Sequence, residues 1–226
     1  MRTLVIGDIH GCNTALNALL EVVVPADEDR LITVGDYIDR GPDSYAVMEW
    51  ARSRTAEGKL IPLLGNHEIM MLMAVENTRA RNNWFQFGGV EALESYVQGT
   101  GGQAWGAVPD SHWTFLENLH AWFETETHIF VHAGVNPDRD LKDQEDSDLF
   151  WERFINPPPH KSGKTVICGH TIQEDGHPRS VGHAICIDTG VYEPLGWLTC
   201  LHVESGHYWQ ANQKGATREG ELESSR

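Results

Sequence analysis

Asp8 and His10 alternate directly after the apolar run at residues 3–6 and are bracketed by Gly7 and Gly11. The same design recurs four times, as GDYIDRG at residues 35–41, GNHE at 65–68, VHAG at 131–134 and GHT at 169–171. Carboxylates, imidazoles and an amide in such places are natural metal ligands. Because Asp8 and His10 are separated by one residue at a strand end, both side chains can turn toward one ion. Asp36 offers two carboxylate oxygens, suited to bridging two cations about 3.5–4 Å apart. Asn66, His132 and His170 then complete the second ion. Imidazole nitrogen mixed with carboxylate and amide oxygen suits manganese, iron or zinc, whereas calcium takes oxygens alone.

Two cations of this kind suit phosphoryl transfer, in which a hydroxide shared by the ions is the nucleophile. The transition state also needs its equatorial oxygens neutralised and its leaving oxygen protonated. Arg40 suits the first task, since a guanidinium grips two phosphate oxygens at once. His67, next to Asn66, suits the second as general acid, with Asp39 orienting its ring. Arg153 in FWERF is the candidate for a second phosphate-gripping arginine. Tyr192, in IDTGVYEP, is a candidate hydrogen-bond donor to phosphate.

These residues need strands to carry them. The runs at residues 3–6, 31–34, 60–64, 128–130 and 165–168 are short, apolar and rich in branched side chains, and each leads into one of the motifs. Helical spacing follows at residues 14–24 and 43–54, so strand, motif and helix alternate and an α/β fold is expected. The crevice beyond the carboxyl ends of such strands is where ligands collect. Residues 76–122 depart from the alternation: they are helix-rich, carry Trp84, Phe85, Phe87, Tyr96, Trp105, Trp113, Phe115 and Trp122, and are expected to form a cap insert with a small core of its own. Within it, residues 84–89 are expected to touch substrate. Runs at 183–187, 197–203 and 207–210 suggest a second, more antiparallel sheet. Residues 1–210 are read as one domain, and 211–226, nearly devoid of apolar residues, as a disordered tail.

The 226 residues carry a net charge of -16 with no lysine or arginine cluster, which argues against nucleic acid and anionic membranes as partners. Four scattered cysteines read as reduced thiols and no apolar stretch approaches a membrane span, so a soluble cytoplasmic protein is expected.

GDIHG, GDYIDRG, GNHE, VHAG and GHT, in this order, resemble the phosphoprotein phosphatase family, particularly its compact bacterial and phage members, over residues 3–203. The resemblance implies a calcineurin-like metallophosphoesterase fold, a two-sheet β sandwich flanked by helices with the dimetal centre at one end. It implies the same six ligands, the same roles for Asp39, Arg40 and His67, and two divalent ions, manganese foremost. The implied reaction is hydrolysis of a phosphomonoester on a phosphorylated protein or peptide, with serine/threonine phosphate first, or on a small phosphorylated molecule. The rival is hydrolysis of a dinucleoside polyphosphate such as diadenosine tetraphosphate. Against it stands Asp39, because the symmetrically cleaving tetraphosphatases typically lack an acid there and carry GNHD in place of GNHE. A catalytically silent binding scaffold is disfavoured by the presence of all six ligands.

Overall fold

The computed structural model describes residues 1–223. The chain opens with β1 (Thr3–Ile6), α1 (Asn13–Val23), β2 (Arg30–Thr33), α2 (Ser44–Ala56), β3 (Ile61–Pro62) and α3 (Asn66–Glu76). β1, β2 and β3 pair in parallel. In α1 the buried positions Ala15, Leu16, Leu19 and Val23 recur at helical spacing, and the helix stops where Val24 turns left-handed and donates its N–H to Leu20 O. Asp43 caps α2 by accepting from the Ala46 N–H.

The aromatic-rich stretch forms α4 (Thr78–Trp84), a π turn at Phe85–Gly89, α5 (Val90–Thr100) and α6 (Asp110–Glu117). It does not build the separate core expected from sequence. Trp84, Ala92, Tyr96, Phe115 and Leu116 merge with Leu16, Met48 and Met71 of α1, α2 and α3 in one apolar cluster. The insert is therefore an extension of the helical layer over the first sheet. Trp122 lies outside it, in the next strand.

The second half supplies β4 (Trp122–Glu124), β5 (His128–Val131), α7 (Asp146–Trp151), β6 (Thr165–Cys168), β7 (Arg179–Ser180), β8 (Ala184–Cys186), β9 (Leu198–His202), β10 (His207–Ala211) and β11 (Thr217–Glu221). One sheet runs β11-β10-β9-β1-β2-β3 and the other β4-β5-β6-β8-β7. The expected grouping of the last runs is thus corrected: β8 pairs in parallel with β6, while β9 pairs antiparallel with β1 and β10 antiparallel with β9.

The alternation of side chains along each strand stacks the layers. Val5, Ile32 and Val34 of the first sheet meet Phe130, Ile167 and Ile185 of the second. Leu4, Ile6 and Leu31 face the helices, and Ile129, Val131, Val166 and Cys186 face Leu149, Phe150 and Phe154. Strands covered on both sides read as unbroken apolar runs. This is the two-sheet sandwich flanked by helices.

The expected disordered tail is also corrected. Residues 217–221 pair in register with β10. Arg218 reaches back to Gln210 Oε1 at 2.7 Å and Gly176 O at 2.6 Å, and its guanidinium lies 4.2 Å from the Trp197 ring. TREGE is a charged edge strand, held by backbone pairing and one arginine, and so gives no apolar signal. Residues 224–226 of that tail lie outside the described residues. All four cysteines are buried and unpaired. No helix among the described residues is long and apolar enough to cross a membrane.

Candidate metal centre

All five motifs meet where β1, β2, β3, β5 and β6 end. Close approach is possible because glycines line the path: a Cβ on Gly169 would overlap the Asp8 carboxylate, and one on Gly65 would overlap that of Asp36. Seven non-glycine residues of the described chain have positive φ, and five of them are His10, Asp36, Asp39, Arg40 and His170. At about 1–3 kcal/mol each, such strain persists only where the surroundings enforce it, and it clusters at functional sites.

His10 Nδ1 donates to Ile38 O at 2.9 Å and His132 Nδ1 to Val34 O at 2.9 Å. Both rings thereby keep the Nε2 lone pair for the interior, the tautomer of a metal-ligating histidine. Those nitrogens look at Asp36, with His10 Nε2 3.5 Å from Oδ2 and His132 Nε2 3.6 Å from Oδ1. Asn66 Oδ1 lies 2.8 Å from His132 Nε2 and 3.1 Å from His170 Nδ1. Asp8 Oδ2 accepts the His170 N–H at 3.0 Å, whereas its buried Oδ1 has no partner.

Side-chain donor atoms converge in two groups that share Asp36: His10 and Asp36 with His67, the ring expected to donate a proton rather than bind an ion, and Asp8, Asp36 and His132. Asp36, expected to bridge two ions, is the residue common to both groups. Asp8 falls in the group with His132, and His10 in the other.

The electrostatics favour cations. Burial pushes Asp36 up to about 7 and Asp188 up to about 6, and with the neighbouring charges of Asp188 and Asp36 it drives Asp8 well above the carboxylate range. Burial also lowers His132 to about 4 and, with help from His132, His170 to about 3. Neutral imidazoles facing crowded carboxylates and an orphaned Asp8 oxygen form a donor set that fits two divalent ions.

Beside them, His67 Nδ1 meets Asp39 Oδ2 at 2.6 Å. Trp84 Nε1 donates to the same oxygen at 2.7 Å. Arg40 Nη1 lies 3.0 Å from His10 Nε2, and its guanidinium lies 4.4 Å from the centroid of the Tyr192 ring. The floor opens into a cavity of about 1060 Å³ lined by Arg40, Asn66, His67, His170, Arg153 and Tyr192, with Asn83 and Phe87 from the insert and Trp151 from the end of α7. So every sequence-predicted site residue except the deep Asp8, His10, Asp36, Asp39 and His132 lines it. Arg153 makes no ion pair with any described residue, including Glu152. Beyond GHT, His177 bonds the Tyr208 hydroxyl and Arg179 lies over Phe154.

Two residues escaped the sequence reading. Glu68 is buried and its carboxylate accepts from the N–H groups of Asp36, Tyr37 and Gly65 at 2.8–3.0 Å, tying the Asp36 loop to the start of α3. The signal was the last letter of GNHE. Asp188 follows β8 and accepts from the Gly190 N–H at 2.9 Å. The acid–glycine pattern of IDTG at a strand end was its signal.

A strand-end site of this kind is shared with known proteins. The family profile of the calcineurin-like phosphoesterases matches residues 1–189. A symmetrical bis(5'-nucleosyl)-tetraphosphatase of Methylobacillus flagellatus is 43% identical over 77 residues, covering 34% of this chain and 27% of that protein. Serine/threonine-protein phosphatase 2 of Salmonella typhimurium is 31% identical over 202 residues, covering 83% of this chain and 87% of that one. The chain spans less than half the length of the first tetraphosphatases it matches. Among solved structures, a cold-active protein tyrosine phosphatase superposes with a TM-score of 0.64 at 15% identity, covering 96% of this chain and 78% of that one, a likeness of fold. With the profile match running through all five motifs that build the centre, the chain belongs to the calcineurin-like phosphoesterase family.

Proposed function

We propose that this phosphoesterase hydrolyses a dinucleoside polyphosphate. The observation that carries this reading is the cavity wall. Phe87 and Trp151 come from different elements, both line the cavity, and they stay 44% and 45% exposed. Large aromatic surface left open beside a phosphate site offers platforms for nucleobases. The tetraphosphatases among the sequence relatives weigh the same way. The motifs alone put phosphoproteins first, and these two findings move the dinucleotide ahead.

Asp8, His10, Asp36, Asn66, His132 and His170 would hold two divalent ions, manganese foremost. When bound, such ions supply Lewis acidity and lower the pKa of water to near neutrality. Arg40 and Arg153 neutralise phosphate oxygens, and Tyr192 supports Arg40 from beneath. As a water-derived oxygen bonds to phosphorus, the P–O bond to the leaving group breaks, its electron pair passes to the leaving oxygen, and His67 Nε2 gives that oxygen a proton. Asp39 keeps the imidazole in place through Nδ1.

A second reading, a serine/threonine protein phosphatase, is favoured by that same pair. A donor held by a carboxylate matters most for poor leaving groups such as alkoxides, and the Salmonella relative aligns over most of both chains. The test is turnover of manganese-reconstituted protein on diadenosine tetraphosphate and on phosphopeptides, with chelated protein as the blank. Preference for the dinucleotide is expected, and preference for phosphopeptides would replace the first reading by the second.

A further inference from the structure

Asp39 is fully buried, and its two oxygens are treated unequally. Oδ2 takes both available donors, His67 Nδ1 at 2.6 Å and Trp84 Nε1 at 2.7 Å, while Oδ1 has no partner. With the imidazole alone, the carboxylate would be free to turn about its own axis and offer either oxygen. The indole N–H removes that freedom. Trp84 belongs to the insert, 45 residues along the chain from Asp39. We propose that Trp84 is a positioning residue for the proton donor, its indole N–H fixing the carboxylate that orients His67.

This inference rests on His67 being the general acid of the proposed mechanism. The surroundings of Trp84 make its position definite. It is fully buried, stacked on Trp105 with centroids 5.4 Å apart and tilted against Phe85 at 5.7 Å. Gly89 has ordinary helical angles, so its lack of a side chain is not a backbone requirement. It is a packing requirement, because a Cβ there would overlap the indole six-membered ring. The π turn following Trp84 also grips the neighbouring residue: Gly88 O accepts the Arg40 N–H at 3.4 Å. The insert thus holds Asp39 by its side chain and Arg40 by its backbone, at the two adjacent left-handed residues of the motif. A neutral donor is suited to this task, since it orders an anion without adding a charge that would compete with phosphate for the arginine.

Leaving-group dependence separates positioning from packing. Trp84→Phe keeps an aromatic ring in the stack and deletes the N–H. The probes are phenyl and 4-nitrophenyl esters of whichever phosphate, free or nucleoside-bound, the wild-type enzyme turns over faster. We expect kcat on the phenyl ester to fall about tenfold and on the nitrophenyl ester by less than about twofold, with KM unchanged on both, because only the poorer leaving group needs the proton. Equal losses on both esters, or none, would overturn the inference. Trp105→Phe thins the same stack and leaves the indole N–H, so it should show no such discrimination; if it discriminates as strongly as Trp84→Phe, packing is the cause. Gly89→Ala forces the indole to shift while retaining its N–H, because the added methyl would overlap the ring. It should reproduce the discrimination even if Trp84→Phe does not fold. His67→Asn separates the two levels of failure. If it slows both esters alike, the general-acid assignment falls; if it discriminates while Trp84→Phe and Gly89→Ala do not, the role of Trp84 falls alone.

Discussion

The floor and the walls of the cavity are built on opposite plans. On the floor, Asp8, His10, Asp36, His67 and His132 are all at most 3% exposed, and most are anchored through a backbone group. On the walls, Phe87 and Trp151 are about half exposed, Leu195 is 86% exposed, and Arg153 has no charged partner among the described residues. A reaction at phosphorus needs reacting groups held to a fraction of an ångström. Recognition tolerates side chains that adjust. On the proposed function the floor sets the chemistry and the walls the substrate, and the two should fail differently when altered.

The largest effect is expected for Asp36→Asn. Asp36 is shared by both groups of ligand atoms and pinned by Glu68 through its N–H and by His67 through its Oδ1. Because altering mere outer partners of metal ligands costs about 10–100-fold, loss of the shared ligand should exceed about 100-fold in kcat and lower the manganese bound per chain. Metal analysis after dialysis, beside kcat at saturating manganese, checks this. A variant that keeps two metal equivalents and activity within tenfold of wild type would remove Asp36 from the bridging position.

Next comes Arg40→Ala, which belongs to both regions, since its backbone is strained into the floor and its guanidinium faces the cavity. Loss of a charged hydrogen-bond donor to phosphate should cost about 1.5–3 kcal/mol in kcat/KM. An unchanged kcat/KM would exclude phosphate contact. Equal loss on small and large substrates places its contribution with the floor, and greater loss on the large one places it with the walls.

The same division decides what could be read from the sequence. The floor was legible because each strand ends abruptly, where an apolar run meets glycine and a ligand, and those breaks are local. Asp8, His10, Asp36, Asn66, His67, His132 and His170 all converge as the motifs suggested. Glu68 was missed although it stands inside a motif, because its work is to collect N–H groups from a loop more than thirty residues away in sequence. The Trp84–Asp39 bond is hidden for the same reason. β11 was unreadable in another way: with no apolar face, its backbone pairs and the reach of Arg218 exist only once β10 is in place. Hydrophobic runs likewise predicted the strands better than their partners, so β9 and β10 were seen but not placed in the sheet of β1.

The smallest effects, and the ones that sharpen the comparison most, are expected on the walls. Phe87→Ala and Trp151→Ala each remove a half-exposed ring from the cavity wall. If the rings stack nucleobases, each loss should weaken binding by about 1–2 kcal/mol, raising KM for diadenosine tetraphosphate roughly 5- to 30-fold. Because stacking far from phosphorus contributes equally before and during bond breaking, kcat should stay within about twofold. KM for 4-nitrophenyl phosphate, which is too small to reach both walls, should not move. Steady-state kinetics on the two substrates reads all of this at once. A fall in kcat on both would mean that the walls help to align the floor, erasing the division between them. A rise in KM confined to phosphopeptides would keep the division and hand the walls to a protein substrate, since the same exposed rings would then be reading side chains next to the phosphorylated residue.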